Sequence, residues 1–403
     1  MNSVIPNLHG IELAAREMSG TVTRTACLAA PKLSSMTGAS VFVKYENMHV
    51  TTAFKERGAF IKLNNLTLEE RQSGVIAMSA GNHAQAVAYH ASRMNIPSLI
   101  VMPVSTPFVK VAATENFGAK VILQGETVQE SGEIALEIAR QDHLTFVHPF
   151  DDFHVIRGQG TIGLEMLQDV PELDVILVPI GGGGLISGVG IAAKAMKPDI
   201  EIVGVEAVSY PSMYNALNDK QLDCGGQTLA EGIAVKKAGI LAAAITKNII
   251  SDIVLVSETD LEQAVNAFLT IQKTMAEGAG AAGLAALMAN RDRFLGKNVG
   301  LILCGGNIDP RILSSIMVRE LAREEKIVQL HIEVPDRPGV LGEIASIIGS
   351  ERANILEVHH QRMSLKVSAK GAFVDISIET RDGEHARHVM RKLHENGFAN
   401  NRA

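Results

Sequence analysis

Short apolar runs rich in β-branched residues alternate with helix-like stretches along most of the chain. Runs of this kind are VIAMSA, PSLIVMP, VILVPI, EIVGVEA and VGLILCGG. Between the first two lies NHAQAVAYHASRMN, in which apolar positions recur at helical spacing. This strand–helix–strand order predicts an α/β fold, with largely parallel sheets and helices on both faces. The segment near 50–153 has its own set of strands and helices, so we expect two sheets.

The pattern changes after about residue 320. RILSSIMVRELAREEK is a predicted amphipathic helix, and three later segments alternate as half-buried strands do: IVQLHIEV, ILEVHHQR and AFVDISIET. With two helices they give the order β-α-β-β-α, typical of a split βαβ module. The final FANNRA is short and polar, and we expect no good fourth strand there. We therefore divide the chain into 1–325 and 327–403, with a smaller subdomain at about 50–153 inserted in the first.

The composition of the chain indicates which binding partners and which cellular compartment to expect. The 403 residues carry a net charge of −7, with 4 % aromatic residues and no tryptophan, so we expect no nucleic-acid partner. No apolar run approaches the ~18 residues of a membrane helix. The N-terminal MNSVIPNLHG lacks the pattern of a secretory signal. Cys27, Cys224 and Cys304 are far apart, which fits a reducing compartment. We expect a cytoplasmic protein without a membrane partner.

Three of the apolar runs end in small residues and glycine, and these turns are candidate functional sites. They lie in VIAMSAGNHAQ, VILVPIGGGGLISG and VGLILCGGN. In an open α/β sheet, ligands bind beyond the carboxyl ends of the strands. Four glycines, 181–184, precede a predicted helix, where backbone N–H groups can hold a phosphate. A flexible turn and a dinucleotide site are the alternatives, although the acidic residue of a dinucleotide site is not clearly spaced.

Lys55, in VTTAFKERGAF, is a candidate amine nucleophile. An amine becomes nucleophilic when desolvation or nearby positive charge lowers its pKa, and Phe54 and Arg57 fit that requirement. Most lysines are solvated surface residues, so this motif alone does not identify Lys55 as a nucleophile. A lysine amine combined with a phosphate-binding loop is the minimal equipment for pyridoxal phosphate chemistry.

Two further turns supply polar groups. In SAGNHAQ, backbone N–H groups could hold a carboxylate, and Asn82 could bind a ring hydroxyl. His83 is either a substrate contact or a buried, satisfied histidine. Cys304, in LCGGN, would be inert core if taken alone. Beside the other turns, it is a candidate partner for a ring nitrogen.

Together these segments resemble the threonine dehydratase family, fold-type II pyridoxal phosphate enzymes that include serine racemase and serine dehydratase. Six motifs stand in family order: FKERGA, SAGNHAQ, GQGTIGLEML, GGGGLISG, EGAGAAGLAAL and LCGGNID. Each motif is modest support alone, whereas six in order over nearly the whole chain are specific. In the tail, EVPDRPGVLGEIASIIG is similar to ACT regulatory domains, which often bind amino acids. The resemblance implies a two-subdomain fold-type II enzyme followed by a ferredoxin-like ACT module.

The resemblance also implies pyridoxal 5'-phosphate as cofactor, with Lys55 as the Schiff-base lysine that also removes the Cα proton. The implied contacts are Phe54 with the ring face, Asn82 with the ring hydroxyl, Cys304 with the ring nitrogen, Gly181, Gly182, Gly183 and Gly184 with the phosphate, and Ser79, Ala80, Gly81 and His83 with substrate. PDRPG, with Asp336, Arg337 and Gly339, is the expected effector loop because it joins a strand to a helix N-terminus.

Two departures from the family refine the expected chemistry. Ala80 stands where racemases of the family carry a serine that can protonate the opposite face, which favours elimination over racemisation. Glu206 matches one position of the family's divalent-cation site, but no acidic residue follows it at the family's spacing. We therefore expect no metal.

The resemblance implies a threonine ammonia-lyase that converts L-threonine to 2-oxobutanoate and ammonia. It also implies a homo-oligomer, dimer or tetramer, with an allosteric amino-acid effector and a place in isoleucine biosynthesis. An L-serine or 3-hydroxyaspartate ammonia-lyase is the alternative within the family. An amino-acid sensor with a vestigial enzyme domain is the alternative of another class, and the intact Lys55 argues against it. Cys304 cannot hold a ring nitrogen as a paired cation, which also suits elimination.

Overall fold

The computed structural model describes residues 5–362 and 370–402, and the chain forms two compact units, Met1–Ile308 and Asp309–Ala403. The strands are β1 (Cys27–Ala29), β2 (Ser40–Tyr45), β3 (Val75–Met78), β4 (Ser98–Met102), β5 (Lys120–Leu123), β6 (Thr145–Phe146), β7 (Val175–Pro179), β8 (Glu201–Ala207), β9 (Asp252–Val256), β10 (Asn298–Leu303), β11 (Ile327–Pro335), β12 (Asn354–Gln361), β13 (Gly371–Glu379) and β14 (Asn400–Arg402).

The helices are α1 (Leu8–Met18), α2 (Pro31–Thr37), α3 (Lys55–Asn64), α4 (Leu68–Ser73), α5 (Asn82–Arg93), α6 (Phe108–Asn116), α7 (Val128–Gln141), α8 (Phe153–Asp169), α9 (Gly184–Met196), α10 (Ser212–Asn218), α11 (Ile240–Ile249), α12 (Glu258–Thr270), α13 (Gly278–Ala289), α14 (Arg291–Phe294), α15 (Pro310–Arg323), α16 (Val340–Ser350) and α17 (Gly383–Glu395). Short 3₁₀ turns occupy Glu46–Met48 and Glu231–Ile233. Within the described residues, no helix is both long and apolar enough to cross a membrane.

The larger sheet of the first unit has the strand order β1-β2-β10-β7-β8-β9, parallel except for β1. Every residue of β7 is buried, as expected for a strand covered on both faces. Helix α13 packs on β7 and β10, and α8 packs against α9. Strands β7 and β10 are hydrogen-bonded neighbours, so the turns that follow them lie side by side.

The smaller sheet has the order β5-β4-β3-β6, and all its strands are parallel. Helix α5 packs on β3 and β4, as does α7, so this sheet has its own core. Helix α3 contacts α5 of this layer and α8 beside the larger sheet. The residue that begins α3 is therefore held by both parts of the unit. Two sheets with flanking helices, one parallel throughout and one parallel except for β1, confirm the predicted α/β fold.

The second unit contains an antiparallel sheet of order β12-β13-β11-β14, with α16 and α17 packed against each other. Residues alternate between buried and more exposed positions along β11 and β13, and the buried ones share a core with the two helices. The expectation that FANNRA forms no fourth strand is wrong. Asn400–Arg402 pairs with β11, because backbone hydrogen bonding does not require apolar side chains.

Helix α15 falls in the second unit, because the chain divides between Ile308 and Asp309. The boundary expected from the sequence, at residues 325–327, lies after this helix. The side chain of Asp309 accepts the N–H groups of Arg311 and Ile312 and so caps the start of α15. Where the catalytic domain ends functionally stays a prediction.

Candidate active site

Lys55 begins α3, and its amine reaches the turn after β6. The Nζ atom donates a hydrogen bond to the Pro149 carbonyl oxygen at 2.8 Å and lies 5.1 Å from the centre of the Phe54 ring. Removal from water lowers the pKa of this amine to about 8, although Cys304 and Glu277 act in the opposite direction. An amine with a lowered pKa is more often unprotonated near neutral pH, which is the reactive form of a nucleophile or base.

The segment before Lys55 runs along the end of β10. Phe54 N donates to Cys304 O at 3.0 Å, and Ala53 forms an isolated bridge with Gly305. Cys304 is 2 % exposed, and burial, reinforced by the Glu277 carboxyl, raises the pKa of its thiol well above the ordinary value. The thiol is therefore neutral. Backbone hydrogen bonds thus bring two residues of distant motifs, Lys55 and Cys304, to one strand end.

The four glycines join β7 to α9 through a close approach to the Pro149–Phe150 turn. Gly183 has φ of 100°, a left-handed conformation that favours glycine. A Cβ atom at Gly182 would lie 2.3 Å from atoms of the Phe150 ring, and one at Gly184 would lie 2.6 Å from Phe150 O. Only bare backbone fits here, directly at the N-terminus of α9, where N–H groups attract anions. Since Lys55 donates to Pro149, the amine and the glycine loop contact the same turn.

Asn82, at the start of α5, is held by two side chains that the sequence analysis did not select. Its Nδ2 donates to Glu277 Oε1 at 2.8 Å, and its Oδ1 accepts from Asn307 Nδ2 at 2.7 Å. Glu277 is buried, and burial raises the pKa of its carboxyl to about 7. Both residues lie in quoted motifs, EGAGAAG and LCGGN. A polar side chain inside a glycine-rich stretch was the signal that could have identified Glu277 and Asn307 as site residues.

The proposed substrate loop divides into an accessible part and a buried part. Ser79, Ala80 and Gly81 are partly exposed, and a Cβ at Gly81 would meet nothing within 4 Å. His83 is 3 % exposed, and its Nε2 lies 2.9 Å from the Val147 carbonyl oxygen. Burial lowers the pKa of this ring to about 3, so it is neutral. The geometry favours the buried, satisfied histidine over a substrate contact.

Glu206 has a structural role at the start of α10. Its carboxyl accepts the N–H groups of Met213 at 2.7 Å and Tyr214 at 2.9 Å. The side chain is fully buried, and that burial raises its pKa to about 7. Throughout residues 5–362 and 370–402, no three His, Cys, Asp or Glu side chains are grouped so that they could hold a metal ion.

The expected effector loop of the second unit carries two ion pairs. Arg337 donates to both carboxylate oxygens of Glu343, at 2.7 Å each, and Asp336 lies 3.3 Å from Arg362. Gly339 precedes α16 with φ of 89°, a conformation that favours glycine. The charged side chains of this loop are thus paired with one another beside the N-terminus of α16, and effector binding here stays a prediction.

Residues 18–305 match the family model described as pyridoxal-phosphate dependent enzyme. The chain belongs to this family. Residues 323–396 match an ACT domain model. An L-threonine ammonia-lyase from Thermotoga maritima is 42 % identical over 393 residues, covering 97 % of this chain and 98 % of that protein. These similarities confirm the predicted family, the cofactor and the ACT module.

Solved structures share the fold. The processed form of threonine deaminase isoform 2 from Solanum lycopersicum matches with a TM-score of 0.72 and 32 % identity, covering 78 % of this chain and 94 % of that chain. A serine racemase from maize matches with a TM-score of 0.73 and 31 % identity, covering 80 % and 100 %. The predicted fold-type II architecture is thereby confirmed.

Proposed function

We propose that the chain is a pyridoxal-phosphate dependent L-threonine ammonia-lyase, which releases 2-oxobutanoate and ammonia. The observation that carries the proposal concerns the Lys55 amine. Its pKa is lowered to about 8, and it contacts the same turn, Pro149–Phe150, as the glycine loop. The name of the Thermotoga maritima relative, matched over 97 % of this chain, supports threonine as substrate.

The residues present fit the cofactor. Bare backbone at 181–184 suits a phosphate group, and the Phe54 ring beside Lys55 suits a flat ring. Asn82 would hold the ring hydroxyl, and Cys304 would face the ring nitrogen. The bound cofactor supplies an electron sink that stabilises negative charge at the substrate Cα.

Side chains and backbone groups of the protein carry out the other steps of the reaction. Lys55, with its pKa lowered to about 8, removes the Cα proton, and the β-hydroxyl leaves as water after its oxygen takes up a proton. Backbone N–H groups at Ser79–Gly81 hold the substrate carboxylate. The neutral Cys304 thiol carries no negative charge that would stabilise a protonated ring nitrogen, so less charge spreads into the ring. That limit favours loss of the β-hydroxyl over transamination.

Racemisation is the competing outcome, since a maize serine racemase shares the fold. A racemase needs a proton donor on each face of the substrate Cα. Ala80 offers no hydroxyl on the substrate loop, and its methyl side chain cannot donate a proton. This residue is our reason for preferring the lyase.

We extend the proposal to regulation and organisation. Asp336, Arg337 and Gly339 would bind an amino-acid effector, and the catalytic domain would span 1–325, with its smaller subdomain at about 50–153 and the ACT domain at 327–403. The protein would act as a homo-oligomer in the cytoplasm and contribute to isoleucine biosynthesis. The three free cysteines support a reducing compartment.

Replacing Lys55 with alanine tests the function. We expect Lys55→Ala to lose at least about 10³-fold in kcat with threonine, because one amine serves as anchor and base. The exposed Lys32 provides the control, and Lys32→Ala should keep full activity. Wild-type protein should be assayed with L-threonine, L-serine and 3-hydroxyaspartate side by side. If L-serine or 3-hydroxyaspartate gives a higher kcat/KM than L-threonine, that compound is the preferred substrate. An active Lys55→Ala variant would refute the mechanism.

A further inference from the structure

The side-chain amide of Asn82 is held at both ends, and its orientation matters because one end donates and the other accepts. Nδ2 donates to Glu277 Oε1 at 2.8 Å, and Oδ1 accepts from Asn307 Nδ2 at 2.7 Å. An amide –NH₂ group has two hydrogens. One goes to Glu277, and the second is free to donate to a ligand oxygen. A reversed amide would present an acceptor in that place.

The surroundings of Asn307 determine which way Asn82 faces. The same Nδ2 of Asn307 also donates to Thr51 O at 3.0 Å, and its Oδ1 lies 2.5 Å from Thr52 Oγ1. A peptide carbonyl can only accept, so the end of Asn307 next to Thr51 O must be the –NH₂ group. That group also contacts Asn82, which must therefore present its oxygen there. The Asn82 nitrogen is left to face Glu277.

The Thr51–Thr52 segment that imposes this order is itself fixed. Thr51 N donates to Glu56 Oε1 at 2.5 Å, and Gly306 N donates to Thr52 O at 2.9 Å. Thr52 has φ of 54°, a left-handed conformation that costs a β-branched residue roughly 1–2 kcal/mol. Such a conformation persists only where the surrounding bonds determine it.

Glu56 belongs to a buried charge cluster formed by Lys44, Glu46, His49, Glu56, Arg57 and Glu165. Arg57 reaches two of its carboxylates, with Nε 2.7 Å from Glu46 Oε2 and Nη1 2.7 Å from Glu165 Oε1. Burial alone would raise the pKa of Glu46, yet Arg57 and His49 hold it well below 4.5. Glu56 meets the rest of this cluster at His49, whose Nδ1 lies 3.7 Å from Glu56 Oε2, and its other oxygen accepts the Thr51 N–H. The Thr51–Thr52 segment is thereby tied to buried side chains.

We propose that Asn307 is a positioning residue for the reaction. It fixes the orientation of the Asn82 amide, so that the –NH₂ group of Asn82 donates to Glu277 and to the cofactor. The Thr51 carbonyl enforces this orientation of Asn307, and the Thr52 hydroxyl donates to the Asn307 oxygen that it leaves on the other side. The inference rests on the proposed contact between Asn82 and the ring hydroxyl. Asn307 is exposed, so replacing it removes no core packing and leaves the fold intact.

The main test is Asn307→Asp, which keeps the shape but removes the –NH₂ group. Carboxylate oxygens would then face Thr51 O and Asn82 Oδ1, and Asn82 would turn over. We expect the dissociation constant for pyridoxal phosphate, measured without substrate, to rise about 3- to 10-fold, as for the loss of one or two hydrogen bonds. The visible absorption band of the bound cofactor should shift as well. The lost hydrogen bonds lower the midpoint of urea unfolding without cofactor, but the protein should remain fully folded under the conditions of the binding measurement.

Two controls separate orientation from general damage. Thr52→Ser keeps the hydroxyl and should bind the cofactor with wild-type affinity. Thr52→Val keeps the branched side chain but loses the hydroxyl, and it should weaken cofactor binding by less than Asn307→Asp does. In an Asn82→Ala background, Asn307→Asp should cause no further loss of cofactor affinity, because its effect acts through Asn82. Additive losses would overturn the proposal.

Wild-type affinity and an unshifted band in Asn307→Asp would also overturn it. Partial unfolding under the binding conditions that accounts for the lost affinity would assign Asn307 a purely structural role. These measurements need no substrate. Wild-type protein that binds the cofactor normally but fails to convert threonine would contradict the proposed function and leave this inference standing.

Discussion

Gly182→Ala is the sharpest test of the way the glycine loop is packed. A Cβ atom at this position would lie 2.3 Å from Cδ2, Cε2 and Cγ of the Phe150 ring. Ordinary contacts of this kind are 3.4–4 Å, so the ring would have to move by more than 1 Å. Phe150 is only partly buried and can turn. We therefore expect a cost of about 1–2 kcal/mol in unfolding free energy, toward the lower end for overpacking.

Phe150→Ala provides the matched background for this prediction. Without the ring, Gly182→Ala should cost less than about 0.5 kcal/mol, since the colliding atoms are gone. Gly184→Ala behaves differently, because its Cβ would lie 2.6 Å from Phe150 O and 2.9 Å from Phe150 Cα. Backbone atoms remain after truncation, so this second substitution should stay costly, at about 3 kcal/mol, in both backgrounds.

Urea unfolding of the three single and two double variants, with and without pyridoxal phosphate, measures these costs. The reasoning is refuted if Gly182→Ala costs the same with and without the Phe150 ring. It is equally refuted if Phe150→Ala relieves Gly184→Ala. The first result would place the ring away from Gly182, and the second would mean that the side chain of Phe150, and not its backbone, limits Gly184.

Further predictions concern helix stability, pH, racemisation and regulation. Gly342→Ala should raise the unfolding free energy by about 0.5–1 kcal/mol, because the site is helical and a Cβ there meets nothing within 4 Å; thermal unfolding showing no gain would contradict this. Glu206 stays protonated up to pH of about 7 when folded but only to about 4.5 when unfolded, so the unfolding free energy falls as pH rises through that window. Glu206→Gln should lessen that fall in urea titrations at pH 5 and 8, and an unchanged slope would count against it. Ala80→Ser should add racemase activity, detected by chiral analysis of recovered substrate; absence of the D-isomer after long incubation would mean that the loop lies away from Cα. Deleting residues 327–403 should preserve turnover and abolish the response to isoleucine, valine and threonine, whereas identical saturation curves would make the tail structural.

The predictable parts of this protein are those that depend on local pattern. Strands β3, β7 and β10 follow from short apolar runs, and the turns after them follow from their glycines. Lys55 stands in a recognisable motif, and the hydrogen bond from Phe54 N to Cys304 O holds its neighbour at the end of β10.

The parts that escaped prediction depend on contacts between distant segments. Glu277 and Asn307 meet Asn82 across 195 and 225 residues of sequence, and no local pattern reports such a distance. For His83 the sequence left two alternatives open, because the choice between them depends on the position of Val147 in space. Strand β14 escaped because its polar residues are ordered by pairing with β11 and not by their own propensity.

The last strand has a practical consequence for anyone who purifies this protein. Strand β14 ends at Arg402 and forms the edge of its sheet through three residue pairs. A histidine tag fused at the C-terminus would begin directly beside this short edge. The added residues would adjoin the backbone that pairs with β11, in the domain expected to sense amino acids. Effector titrations should therefore compare tagged protein with protein from which the tag has been cleaved.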